Sequence, residues 1–172
     1  VIMANQNKLD QRYMAMATEW SCMSNAQRKK VGCLIVKDGR IISDGFNGTP
    51  SGFDNDCEEV FYTCDERDFY RDQGWQLDKG KDKFFKLKTK PEVLHAESNA
   101  LMKLACSTNS SEGATVYCTC SPCFDCAKLI IQAGIKRVVY DEVYRCEQGL
   151  DLLKKANIEI CKISDIWKIK YY

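Results

Sequence analysis

The sequence predicts an α/β protein of three layers, α/β/α, with one sheet between two layers of helices. Three observations lead there. Two β-rich runs early in the chain are joined at Asp38-Gly39, a hairpin signal. From Glu92 onward, helical and β-rich segments alternate regularly, the pattern of a sheet covered on both faces with an antiparallel hairpin at its start. A chain of 172 residues with 45% hydrophobic content also suits one compact domain, residues 1–172, with a core of its own.

The elements follow in order. From about Leu9 to Ser24, Tyr13, Met14, Ala17 and Trp20 recur near helical spacing, which predicts a first amphipathic helix packed on the body. The hairpin strands are Val31 to Val36 and Arg40 to Phe46. Residues Asn47 to Gly52, rich in glycine and proline, form a structured loop at the strand's exit. From Phe53 to Glu92 the chain is polar, charged and aromatic without a clear period, and is expected to be an insertion, partly helical and partly mobile. Then come a helix from about Ala96 to Cys106, a strand from Ala114 to Cys118, a helix from Pro122 to Ala133 and a strand from Arg137 to Tyr140. A helix from about Leu150 to Ala156 and a strand from Glu159 to Ile163 complete the pattern.

Composition narrows the function. A formal net charge of +1 leaves no broad electrostatic footprint for a polynucleotide. The longest apolar stretches, such as Val31 to Val36, fall far short of the roughly 20 residues a membrane span requires, so no membrane partner is expected. Eleven cysteines could make a disulfide framework, but the number is odd and the first residues hold no apolar leader, so the expected compartment is a reducing cytoplasm.

The chemistry gathers at two places. His95 is the only histidine; it stands in His95-Ala96-Glu97, and downstream lies Ser121-Pro122-Cys123-Phe124-Asp125-Cys126. Pro122 suits a first helical position and Ser121 an N-cap, which would put Cys123 and Cys126 on the helix's opening turn. Three residues apart, their sulfurs face one side, and the unpaired amides there favour thiolates. Two thiolates and one imidazole make three zinc ligands and leave the fourth tetrahedral position for water, the arrangement of a catalytic zinc. Glu97 is then the proton carrier, not a ligand: it accepts the water's proton and delivers it to the leaving group. Among the other cysteines, Cys33, Cys106, Cys118, Cys120, Cys146 and Cys161 read as small hydrophobes. Cys22, Cys57 and Cys64 are the candidates for a second metal group.

The H-x-E…P-C-x-x-C pattern resembles the signature of zinc-dependent nucleobase deaminases. The likeness is closest to the deoxycytidylate deaminases, of bacteriophage and bacterial type, and runs from about Met14 to Ile163. Four passages carry it: Arg28-Lys29-Lys30-Val31-Gly32-Cys33-Leu34-Ile35-Val36, Gly45-Phe46-Asn47-Gly48-Thr49-Pro50-Ser51-Gly52, His95-Ala96-Glu97-Ser98-Asn99-Ala100, and Ser121 to Cys126 continuing to Tyr144-Arg145. The second resembles the G-Y-N-G segment of the deoxycytidylate branch, with Phe46 in the tyrosine's place.

The resemblance implies a cytidine-deaminase-like fold with a five-stranded mixed sheet, and hydrolysis of dCMP to dUMP and ammonia. It implies that Asn47 contacts the deoxyribose or base and that Arg28 and Tyr144 hold the 5′-phosphate, while groups at Ala96 and Ser121 orient the ring. It further implies a hexamer activated by dCTP and inhibited by dTTP through a site that includes Phe46, Asn47 and Gly48, with Mg2+ accompanying a triphosphate effector. Some relatives hold a second, structural zinc through cysteines; one such position is Ala26 here, so only the catalytic zinc is assigned. The rival readings are a deaminase of cytidine, dCTP, a riboflavin-pathway intermediate or an RNA base, and a non-catalytic zinc module whose fourth ligand is Cys118 or Cys120.

Overall fold

The computed structural model describes residues 2–63, 74–81 and 83–167. Its main sheet has five strands in the order β2-β1-β6-β7-β8. The strands are β1 (Gly32–Lys37), β2 (Arg40–Phe46), β6 (Thr115–Cys120), β7 (Arg137–Glu142) and β8 (Glu159–Lys162). β1 runs antiparallel to β2 and to β6, whereas β6, β7 and β8 are parallel, so the sheet is mixed as expected. Asp38 and Gly39 both have positive φ, 50° and 73°, the backbone that a two-residue hairpin turn demands.

Strand alternation sends side chains to two separate cores. Cys33, Ile35, Val116 and Val138 meet α2 (Ala96–Ala105), α3 (Phe124–Gln132) and α4 (Gln148–Lys155) through Ala100, Leu104, Ile130 and Leu153. Leu34, Val36, Tyr117 and Val139 face the opposite way, against Met14 and Ala17 of α1 (Ile2–Ser21) and Ile163 and Ile166 of α5 (Ile163–Trp167). This is the three-layer architecture the alternation predicts.

Several boundaries differ from the sequence expectation. α1 begins at Ile2, seven residues early, because the polar stretch before Leu9 contains no glycine or proline to break it; Gln6 also donates to Asp10 one turn on, at 2.8 Å. α3 begins at Phe124, with Cys123 and not Ser121 as its N-cap. The Ser121 hydroxyl is taken by a tertiary contact, accepting from the Tyr144 amide at 2.8 Å, and the Cys123 sulfur accepts from Cys126 N–H at 3.4 Å in its stead.

The stretch from Phe53 to Glu92 was expected to be partly helical, yet its described residues contain no helix. They form an antiparallel three-stranded sheet, β3-β5-β4, from β3 (Glu58–Tyr62), β4 (Gln76–Asp78) and β5 (Lys83–Thr89). Val60, Phe61, Tyr62, Phe84 and Phe85 are residues that favour a pleated, half-buried surface, and cross-strand pairing supplies the order that helical periodicity could not reveal. The expectation for residues 64–73 and 82 lies outside the described residues.

Candidate active site

The carboxyl ends of β6 and β7 open onto one end of the sheet, the place where ligands bind in open α/β sheets. Because β1 is antiparallel to β6, the loop leading into β1 and the loop leaving β2 reach the same end. There the first turns of α2 and α3 meet.

His95 is the N-cap of α2, with φ −74° and ψ 156°; it makes no side-chain cap and leaves its ring to point across to α3. Its Nδ1 lies 3.3 Å from the Cys123 sulfur and 3.5 Å from that of Cys126. The three donor atoms fall within 4.8 Å of one another and form the one such group of metal-binding side chains among the described residues. One borderline nitrogen and two sulfurs suit zinc. Neither Cys118 nor Cys120, both buried, joins them as a fourth member. Cys22 is exposed and Cys57 buried, and neither belongs to a metal group among the described residues; Cys64 lies outside those residues.

Electrostatics separates the roles. Hydrogen bonding to the Cys126 side chain, opposed by burial and reinforced by His95, brings the Cys123 thiol down to about 4. The Cys126 thiol is pushed up by its bond to Cys123 and by burial, and a bound dication reverses that direction by stabilising the thiolate. His95 is raised chiefly by its contact with Cys123. Glu97, at the second position of α2 and only 4% exposed, is pushed up to about 7 because burial disfavours its charge; its own backbone amide and the His95 ring pull the other way.

Beside this group lies a cavity of about 400 Å³. Every residue that the resemblance assigns to substrate lines it: Arg28, Asn47, Ala96, Ser121 and Tyr144, together with His95, Glu97 and Cys123. Phe46 and Gly48 are not among the lining residues. The Phe46 carbonyl instead accepts from Asn99 Nδ2 at 2.7 Å, and Gly48 forms an isolated bridge with Leu94. Asn47 clamps the loop before β1: its Oδ1 accepts from Val31 N–H at 2.7 Å and its Nδ2 donates to the Lys29 carbonyl at 2.9 Å.

Sequence reasoning missed other lining residues. Lys29 and Arg145 sit beside motif residues and were legible as neighbours. Lys29 bonds Glu142 at 2.6 Å and lies 3.5 Å from the Cys120 sulfur, while the Arg145 guanidinium stacks 5.7 Å from the Tyr144 ring centre. Glu58 and Thr89 come from the small sheet, and no local motif marks them. Of the six cysteines read as small hydrophobes, Cys33, Cys118 and Cys120 are buried, but Cys106 and Cys146 are exposed where their helix ends face solvent.

A nitrogen–sulfur metal group with a buried carboxyl two residues past the histidine, at facing helix ends of a mixed sheet, defines the class of zinc-dependent nucleobase deaminases. Residues 7–142 match the cytidine and deoxycytidylate deaminase zinc-binding region, and the chain belongs to that family. It is 38% identical to the deoxycytidylate deaminase of Enterobacteria phage T4, over 78% of this chain and 79% of that protein. Against the deoxycytidylate deaminase of Saccharomyces cerevisiae it is 34% identical, over 90% of this chain and 45% of that one. The crystal structure of the dCMP deaminase from the cyanophage S-TIM5, in complex with dCMP and dUMP, matches with a TM-score of 0.72 and 40% identity, covering 90% of this chain and 96% of that one.

Proposed function

We propose that this protein, acting as a single domain, converts dCMP and water to dUMP and ammonia. The observation that carries the proposal is a buried carboxyl, Glu97, beside a zinc-type His–Cys–Cys group in a cavity also lined by Arg28, Lys29 and Arg145. His95, Cys123 and Cys126 would hold zinc, which would supply Lewis-acid activation of the attacking water. Glu97 takes one proton from the attacking water and passes it to N3 of the cytosine ring; it then takes the proton left on the new C4 hydroxyl and delivers it to the departing amine, which leaves as ammonia while the C4 carbonyl of dUMP forms. Burial, which disfavours the charge of Glu97, strengthens its hold on the proton it carries.

Arg28 offers a planar fork to two phosphate oxygens, and Tyr144 lines the cavity with it. Asn47 has a lone pair and an amide hydrogen beyond those engaged with Val31 and Lys29, which suits the deoxyribose or base. The Ala96 amide, among the unpaired donors opening α2, and Ser121 orient the ring. Substrate choice is supported by relatives named for deoxycytidylate on both the sequence and structure sides. The same resemblance supports effector control, dCTP activating and dTTP inhibiting near Phe46, Asn47 and Gly48, with Mg2+ accompanying the triphosphate, and a hexameric assembly. Ten free cysteines among the described residues support a reducing cytoplasm as its setting. No helix among those residues is long and apolar enough to cross a membrane.

The test is ammonia release from dCMP, deoxycytidine and a cytosine-bearing oligonucleotide, before and after chelation. The expected result is turnover of dCMP alone, lost with the metal and restored by zinc. Equal turnover of deoxycytidine or of the oligonucleotide overturns the substrate assignment, and no ammonia from any of them overturns the enzyme.

A further inference from the structure

Arg28 lies on the irregular loop between α1 and β1 and is exposed, yet a guanidinium that recognises phosphate geometrically needs a fixed direction. The small sheet supplies it. Glu58, the first residue of β3 and only 8% exposed, accepts from two consecutive backbone amides of that loop: Gln27 N–H to Oε2 at 3.1 Å and Arg28 N–H to Oε1 at 3.2 Å. Thr89, the last residue of β5, accepts from the Arg28 guanidinium Nη1 at 3.0 Å. Glu58 and Thr89 are partners in the β3–β5 register, so one cross-strand pair holds both the backbone and the head group of Arg28. Asn47 clamps the same loop further on, at the Lys29 carbonyl and the Val31 amide. All four residues line the cavity. With both carboxylate oxygens turned to backbone donors, Glu58 holds the loop and leaves the guanidinium to Thr89.

We propose that Glu58 and Thr89 are positioning residues that set the preference for a phosphorylated nucleotide over its nucleoside, which makes the small sheet part of substrate recognition. The inference rests on the reading of Arg28 as a phosphate ligand. A loop held at its backbone and at its cation meets phosphate without first losing rotamer freedom, so releasing either anchor weakens the phosphate contact selectively.

The experiment measures binding of dUMP and of deoxyuridine by calorimetry to the zinc-loaded enzyme and its variants. Glu58→Gln replaces one acceptor with a donor that faces an amide, and Thr89→Val removes the acceptor for the guanidinium. Each is expected to weaken dUMP about tenfold while moving deoxyuridine by no more than about twofold, and Thr89→Ser restores dUMP affinity. On an Arg28→Gln background, Glu58→Gln adds little, because the contact it positions is already gone. Equal weakening of both ligands, an unchanged dUMP affinity, or a full additional loss on the Arg28→Gln background overturns the proposal. If Arg28→Gln itself leaves dUMP binding intact, the phosphate assignment fails and the proposal falls with it. A parental enzyme that binds dUMP through Arg28, Glu58 and Thr89 yet releases no ammonia from dCMP sinks the deaminase reading alone.

Discussion

Glu97 and Asp10 are both almost completely buried carboxyls, yet their surroundings move them in opposite directions. Glu97 is lifted to about 7 by burial, which suits a group that must accept and return a proton. Glu97→Gln should leave the His–Cys–Cys group intact, so metal analysis finds the parental zinc content while kcat for dCMP falls by at least about a hundredfold. Parental turnover in that variant would remove the proton-carrier role. Burial opposes the charge of Asp10 too, but Arg137, in a two-pronged contact at 2.8 and 2.7 Å, outweighs it with the Tyr117 hydroxyl at 2.6 Å and the Gln6 amide, and holds the carboxyl below its usual value. A depressed folded-state pKa contributes stability that is present above the unfolded value and lost as pH falls through the folded one. Asp10→Asn should therefore cost about 3 kcal/mol at neutral pH, leaving Arg137 short of its buried partner. Denaturant melts across pH should show the gap to the parental protein closing below about pH 4.

Among the elements, α4 bears on the metal group through one close approach. Gly149, in its first turn, packs on the chain at Pro122 and Cys123, where an added Cβ would overlap the Pro122 carbonyl oxygen. Gly149→Ala must push α4 off the segment that presents Cys123, with a destabilisation of about 2 kcal/mol. Competition with a chelator should show weaker zinc retention in that variant; unchanged retention would mean that α4 does not shape the site. The elements also show what could be read locally. The Asp38-Gly39 turn and the alternation after Glu92 were legible because turn chemistry and periodicity are properties of neighbours in sequence. The N-cap of α3 was misplaced because Ser121 has its partner, Tyr144, 23 residues away, and no local signal says that its hydroxyl is already engaged. The small sheet was missed for the same reason, its order coming from pairing between strands distant in sequence.

For the whole molecule, the metal group stands apart from what holds the fold together. The two cores on either face of the sheet include none of His95, Cys123 and Cys126. Chelated protein should keep its far-ultraviolet circular dichroism while its Tm falls by roughly 10 °C and turnover stops, with zinc restoring both. Loss of the helical signal on chelation would make the metal structural, as in proteins that unfold without it. The outer face of α1 exposes Met16 and Trp20, at 48% and 39%, and Met23 just past its end is 59% exposed, which suits burial against further copies. Sedimentation of the purified protein should give the mass of six subunits; a monomeric mass would remove the hexamer.

The sequence by itself determined the α/β layering, the hairpin, the zinc-type ligand set and the carboxyl beside it, because each is encoded by residue type at short spacing: a period, a turn dipeptide, His-x-Glu, Cys-x-x-Cys. Tertiary structure alone decided how those pieces meet. Packing of α2 against α3 sets the ring of His95 against two sulfurs 28 and 31 residues away, and pairing of β3 with β5 brings Glu58 and Thr89 to the loop that carries Arg28. Contacts across such separations follow from which apolar faces bury against one another, and no window along the chain contains both partners.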